Sequence, residues 1–245
     1  MIKAIIERIK QGFRTGKFPP AAPNLPPDFR GRPVLAANIR EADIQSAASV
    51  CPCEGALGWD DKGAYLDMGR CIFCGRCAEK CSKIHFSKDY RLGCTSREAL
   101  KVRPIMFEER ACDIPVASVH KEYKHSFQLR EVSAGGCAGC ELDANVLGTL
   151  AWDMGRFGIR FVASPKHADG IYLTGPISEK MQGALDAAWS VCPEPKVLIA
   201  AGACAISGGL YKQGKLPKEP DLFIPGCPPH PAVTLDALTR FIGRF

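Results

Sequence analysis

Residues 126–140 read SFQLREVSAGGCAGC, and residues 141–152 continue as ELDANVLGTLAW. Ser126 to Val132 alternates as a strand does, while Leu142, Val146, Leu147 and Leu150 recur at helical spacing. Between them Gly135 and Gly136 lead into a C-x-x-C, Cys137 and Cys140, at the strand's carboxyl end. In an open parallel sheet that edge is where ligands gather. The pair reads as half of a metal-ligand set, and the chain should supply the other half.

Downstream, Ile159 to Ala163, Gly170 to Thr174, Lys196 to Ala201 and Asp221 to Pro225 are short apolar runs. The helical stretches Ser178 to Val191 and Pro231 to Phe245 separate them, so residues 126–245 predict an α/β domain with a mainly parallel sheet. Cys204 follows one strand through Gly202, and Cys227 follows another through Gly226. Three strand ends thus offer four thiolates, Cys137, Cys140, Cys204 and Cys227, with glycines that permit tight turns. Tetrahedral zinc is the alternative occupant. Cys192, before Pro193, reads as a buried packing thiol.

A second signal lies upstream, Cys71-x-x-Cys74-x-x-Cys77-x-x-x-Cys81, the spacing of the bacterial ferredoxin run. In two-cluster ferredoxins the fourth cysteine of each run ligates the other cluster, so the leading three need a partner from elsewhere. Cys51-Pro52 has the form of the tail of such a run, and counting back places Glu41, Ile44 and Ala47 where three cysteines would stand. One [4Fe-4S] cluster on Cys51, Cys71, Cys74 and Cys77 is therefore expected, with Cys53 the rival of Cys51. Cys81, followed by Ser82, is left without a partner. Zinc suits four cysteines as well, but its modules usually pair two C-x-x-C knuckles across a longer gap. With the strand-end quartet, the expected cofactors are two [4Fe-4S] clusters.

The 245 residues, 46% hydrophobic and 24% charged, suit one large or two small globular domains, and two are expected. The apolar stretch Val197 to Leu210 is too short for a membrane span and is broken by Gly202, Gly208 and Gly209. Met1 to Lys17 mixes charge with apolar residues and does not build a secretory signal, so a cytoplasmic location is expected. Thirteen cysteines in a reducing compartment point to metal ligation. The net charge of +6 is uneven, with 22 Lys+Arg against 15 Asp+Glu in residues 1–130 and 10 against 11 after them. No nucleic-acid module accompanies that basicity, and no nucleic-acid partner is expected.

Residues 1–16 read as an amphipathic helix with Ile2, Ile5, Ile6, Ile9 and Phe13 on one face, suited to a membrane surface, a partner groove or its own domain. Six prolines between Phe18 and Pro33 make an extended connector that would hold this helix at a distance. The expected units are the helix and connector (1–33), a small [4Fe-4S] domain (34–90), a linker (91–125) and the α/β domain (126–245). In and beside the linker, Cys94 and Cys112 read as packing thiols, and His120 and His125 as surface or locally bonded groups. Arg70, Arg76, Lys80 and Lys83 surround the first cysteine run; they are expected to stabilise its reduced form and attract an acidic electron carrier.

Several motifs in one order now carry a resemblance. Cys137-Ala-Gly-Cys140-Glu141-Leu142, Arg156-Phe157-Gly158, Ser164-Pro165-Lys166-His167-Ala168-Asp169, Leu173-Thr174-Gly175-Pro176, Pro195-Lys196 and Pro225-Gly226-Cys227-Pro228-Pro229 resemble the 20 kDa electron-transfer subunit shared by NADH:quinone oxidoreductase and membrane-bound [NiFe] hydrogenases. The spaced cysteine pair is similar to hydrogenase small subunits of the formate hydrogenlyase and energy-converting type. Residues 1–90, through Arg14-Thr15-Gly16 and Phe29-Arg30-Gly31-Arg32-Pro33, resemble the ferredoxin-like subunit of the same complexes. Ala203 precedes Cys204 where hydrogenase relatives usually have an acidic residue.

The resemblance implies a flavodoxin-like domain preceded by a small ferredoxin-like α+β domain. It implies an oxidoreductase subunit that relays electrons to or from a nickel-iron site in a partner [NiFe] hydrogenase-like large subunit. The alternative is a relay subunit of a quinone or ferredoxin oxidoreductase without hydrogen chemistry. Implied partners also include membrane-integral subunits and a soluble electron carrier or formate dehydrogenase-type protein, with the chain peripheral on the inner face of the cell membrane. Glu141 can be read as a proton conductor or as an acid suited to the helix dipole, and the dipole reading is preferred.

Overall fold

Four large apolar side chains recur on a helix that buries none of them. This computed structural model describes residues 2–12, 15–19, 21–104, 114 and 120–244. In it α1 (Ile2–Gln11) has no buried residue, and Ile2, Ile5, Ile6 and Ile9 are 74%, 58%, 44% and 74% exposed. Gly12, at φ +61°, ends the helix earlier than the expected residue 16, and Phe13 and Arg14 lie outside the described residues. The described part of the proline-rich stretch before residue 33 forms neither helix nor strand, yet it is not a free spacer. Gly16 N donates to the Ala151 carbonyl at 2.9 Å, and Arg156 donates to the carbonyls of Gly16 and Phe18 at 2.9 and 2.6 Å. Phe18 is buried edge-on against Tyr90 and Trp152.

β1 (Pro33–Leu35), α2 (Glu41–Ala48), β2 (Leu57–Asp60), β3 (Gly63–Asp67), α3 (Arg76–Lys80), β4 (Ile84–Phe86) and β5 (Lys101–Val102) follow. β1 pairs antiparallel with β4, and β2, β3 and β5 form a separate antiparallel sheet in that order. Two of the positions where a second ferredoxin run would carry cysteines, Ile44 and Ala47, lie on α2 and are buried. Apolar packing occupies the place of those ligands. Asp67 closes this region from the inside: it is 2% exposed, accepts from Gly69 N at 2.9 Å and takes both guanidinium nitrogens of Arg97 at 2.8 and 2.5 Å.

The expected strand and helix alternation is present from residue 127 onward: β6 (Phe127–Ser133), α4 (Gly139–Val146), β7 (Ile159–Phe161), β8 (Gly170–Thr174), α5 (Glu179–Val191), β9 (Val197–Ala201), α6 (Ala203–Ser207), β10 (Leu222–Ile224) and α7 (Pro231–Phe241). The sheet order is β10-β9-β8-β6-β7 and every pair is parallel. This is the flavodoxin-like order, in which the chain reverses its direction of travel beside the first strand. β8, β9 and β10 are buried along their whole length because their apolar runs are covered on both faces. α7 is likewise buried at every residue except Arg240.

Two further features depart from the sequence reading. α4 starts at Gly139 and stops at Val146, so Cys140 is inside the helix and Leu150 beyond it. The stretch read as a linker is packed in its described part: Cys94 is buried and exchanges both backbone bonds with Phe223, and Tyr123 stacks on Phe127 and donates to the Pro195 carbonyl at 3.0 Å. His120 bonds locally to Glu122, and Cys112 lies outside the described residues.

Arg97→Ala would leave the buried Asp67 carboxylate with the Gly69 N–H and, of its two cations, only the more distant Arg70, at 3.8 Å. Breaking a buried pair by removing one partner is strongly destabilising, and the expected loss is about 3–5 kcal/mol. A urea titration of the anaerobic protein should show the midpoint falling with an unchanged slope.

Candidate metal centres

The first group of cysteines encloses a closed cavity. Cys51 and Cys53 approach it from the turn after α2, and Cys71, Cys74 and Cys77 from the turn into α3; Leu57, Leu66, Ile72 and Phe86 complete an apolar wall. Phe73 has a left-handed φ of +53°, which few non-glycine residues adopt. That turn aims the Phe73 N–H at Cys71 Sγ, 3.2 Å away. Gly75, at φ +84°, then starts α3. A Cβ at Gly75 would stand 2.6 Å from Arg30 Nε, so the guanidinium lies directly over the loop.

Burial pushes the Cys71 thiol far up and the Cys53 and Cys77 thiols up to about 11, with the neighbouring cysteines adding to the shift. Such a cavity disfavours free thiolates, and a bound cationic centre supplies the charge that stabilises them. The donor set is all soft sulfur in an apolar enclosure, which suits an iron-sulfur cluster. Cys51 and Cys53 both line the cavity, and Cys51 Sγ donates to the Cys53 carbonyl at 3.4 Å. Cys81 ends α3, is buried and does not line the cavity.

The second group stands at the carboxyl edge of the five-stranded sheet. Register sets Ser133 beside Thr174, Leu173 beside Ala200, and Ala201 beside Ile224, so the strands end almost level. Cys137 and Cys140 leave β6, Cys204 sits in α6 after β9, and Cys227 follows β10. A Cβ at Gly202 would stand 2.6 Å from Cys140 Sγ and 3.6 Å from the Gly226 carbonyl, so three strand ends meet at that glycine. Ala138, like Phe73, is a non-glycine residue in a left-handed turn, at φ +67°. Both C-x-x-C motifs therefore hold strained backbone between their cysteines. Burial raises Cys140 to about 12, with Glu141 and the other three thiols adding to the shift, and Cys137 and Cys227 reach the surface.

A single zinc ion draws its donors onto one atom. Among the described residues no three His, Cys, Asp or Glu side chains are arranged to hold a single ion. The cysteines of the first group line one enclosed space, and a cubane shares four such donors among its irons. The two groups are also neighbours: Phe73 and Ile72 share a cleft with Cys227 and Pro228.

Glu141 is a brace at this edge. Its Oε1 accepts from Ser133 Oγ and Thr174 Oγ1, both at 2.6 Å, joining α4 to β6 and β8. Burial pushes its carboxyl up, but the two hydroxyl donors and its own backbone N–H together outweigh that and leave it below the usual carboxylate range. The helical stripe of Leu142, Val146 and Leu150 faces outward, at 65%, 36% and 75% exposure. Spacing reveals the stripe, but not that it faces away from the core.

Residues 137–241 match the family described as NADH ubiquinone oxidoreductase, 20 Kd subunit. Formate hydrogenlyase subunit 7 of Escherichia coli is 39% identical over 134 residues, 52% of this chain and 52% of its own. A Pyrococcus furiosus protein bearing the name of a membrane-bound hydrogenase subunit is 31% identical over 135 residues, 52% of this chain and 81% of its own. An NADH-quinone oxidoreductase subunit of Desulfovibrio desulfuricans is 39% identical over 111 residues, 43% of this chain and 61% of its own. The match thus spans about half the length of the first relative and most of the second.

Gly202→Ala would force a methyl against Cys140 Sγ and impose a left-handed φ of +89° on alanine. With ψ at 155° this is a region that is essentially glycine's own, and the backbone strain alone is about 1–3 kcal/mol. Iron bound per chain should fall while far-ultraviolet circular dichroism keeps its shape, and the matching Gly183→Ala, in open space on α5, should leave iron unchanged.

Proposed function

The chain belongs to the family of the NADH ubiquinone oxidoreductase 20 kDa subunit, and from that membership we propose that it is the electron-transfer small subunit of a multisubunit, membrane-associated [NiFe] hydrogenase. It is an oxidoreductase subunit of the hydrogenase and NADH-quinone oxidoreductase type. Cys51, Cys71, Cys74 and Cys77 hold one [4Fe-4S] cluster, and Cys137, Cys140, Cys204 and Cys227 hold a second. Bound there, the clusters supply one-electron chemistry whose potential is set by burial, hydrogen bonds to sulfur and local charge. The observation that carries this reading is the cleft in which Ile72 and Phe73 of the first cysteine run meet Cys227 and Pro228 of the second group. Electrons passing between a carrier and a partner's nickel-iron site would take that route.

The exposed Leu142 and Val146 lie on the same helix as Cys140, with the exposed Leu150 just beyond its end, and an apolar patch of this kind marks an interface. The large subunit docks there, next to the second cluster. The isoleucine face of α1 meets the membrane side of the complex, and the chain lies peripherally on the inner face of the cell membrane. Among the described residues no helix is long and apolar enough to cross a membrane. Residues 34–90 act as the ferredoxin-like unit, fused to the small-subunit domain at 126–245. A soluble carrier or a formate dehydrogenase-type partner supplies or takes the electrons.

Ala203 favours a second reading, a relay subunit of a quinone or ferredoxin oxidoreductase, because the acidic residue usual in hydrogenases is missing. Nickel in the complex copurified with this chain separates the two: about one nickel per chain supports the hydrogenase, and none supports the alternative.

Anaerobic iron and sulfide analysis with electron paramagnetic resonance tests the cluster assignment. Two cubanes require about eight iron per chain, and about four would remove one site. Cys51→Ser should abolish one signal and Cys81→Ser should not. With both clusters reduced, magnetic coupling should broaden the spectrum, and Cys51→Ser should sharpen what remains.

A further inference from the structure

Beside the first cysteine cavity the surface opens into a cleft of about 640 Å³, lined by the Ser49–Pro52 turn and by Arg76, Glu79 and Lys80 of α3. Cys51 lines both this cleft and the closed cavity, whereas Cys53, Cys71, Cys74 and Cys77 line the cavity alone. Cys51 and Cys74 are both half-buried, and of the five thiols Cys51 is the one that borders the open cleft.

Of the four basic residues around this run, two are held by the protein itself. Lys83 Nζ is 2.7 Å from Asp43 and also donates to the Asn38 carbonyl, and Arg70 is turned toward Asp67 at 3.8 Å. Arg76 and Lys80 are exposed on α3 and have no ion-pair partner among the described residues. Two available cations against the single carboxylate of Glu79 leave the cleft with a basic rim.

We infer that this cleft is the docking port for an acidic one-electron carrier protein, with Arg76 and Lys80 steering the carrier and Cys51 as the ligand at which the electron enters. The inference rests on the assignment of a [4Fe-4S] cluster to Cys51, Cys71, Cys74 and Cys77. The reduced carrier loses one electron and the cluster gains it; no bond is made or broken and no proton moves. Such an encounter needs only a small, transient interface, and opposite charge raises its association rate steeply at low salt.

The test is anaerobic stopped-flow reduction of the iron-loaded full chain by two donors, an acidic reduced [2Fe-2S] ferredoxin and the cationic methyl viologen radical. Arg76→Glu/Lys80→Glu should slow reduction by the ferredoxin about tenfold or more at low ionic strength. The difference should vanish at high salt, and the viologen rate should not fall. Lys166→Glu/Lys212→Glu, which changes the same charge at exposed positions elsewhere, should leave the ferredoxin rate within about twofold. An unchanged ferredoxin rate in the α3 variant, or an equal loss in the control, overturns the port.

Iron content and the resonance signal of each variant keep the port separate from the cluster assignment. If Cys53→Ser abolishes the signal and Cys51→Ser keeps it, the cluster stands and the entry through Cys51 falls. If the wild-type chain binds no cluster at this run, both fall together.

Discussion

Four thiols at one sheet edge can meet only if the strands that carry them run in the same direction and end level. That constraint governs the second half of the molecule. β6, β9 and β10 deliver Cys137 and Cys140, Cys204 and Cys227 to one edge because all five strands are parallel and their register is flush. An antiparallel neighbour would have sent its cysteine to the opposite edge, a full strand length away. Burial of β8, β9 and β10 on both faces, with α7 enclosed on nearly every side, holds that edge rigid.

The thiols themselves oppose this arrangement. Burial raises Cys71, Cys77 and Cys140, so a cavity of sulfur is poor at carrying negative charge unless a cationic centre sits among them. Local backbone must also be bent to face the sulfur, and the bending is concentrated in the same places. Phe73 and Ala138 adopt left-handed turns inside the two C-x-x-C motifs, a conformation that side chains resist. Among the described residues no other cysteine has a left-handed non-glycine residue beside it. Such strain is what a ligand-binding loop requires and a packing thiol does not.

Much of this is legible in the sequence. The parallel sheet follows from short apolar runs between helical stretches, and the strand-end position of Cys204 and Cys227 follows from the glycines before them. Strand order is not legible, because β8, β9 and β10 are all apolar runs buried on both faces and pairing depends on which faces fit. The end of α4 escapes periodicity because Leu147 and Leu150 keep helical spacing after the helix stops at Val146. The grip on the proline-rich stretch is hidden too, since it comes from Arg156, about 140 residues away in sequence. Periodicity reports neighbours along the chain, and these contacts are between distant segments.

The two cysteine groups are held next to each other by contacts that belong to neither. Ser207 Oγ donates to the Gly69 carbonyl at 2.9 Å, so the helix carrying Cys204 is bonded to the turn that precedes Cys71. A Cβ at Gly69 would stand 2.8 Å from Ile206, which leaves no slack at that contact. Cys94 ties the other side, exchanging backbone bonds with Phe223 three residues before Gly226. Electron transfer between centres depends on their separation. A single chain that bonds both groups through α6 and β10 fixes that separation by its own fold, with no need for an assembled interface to set it.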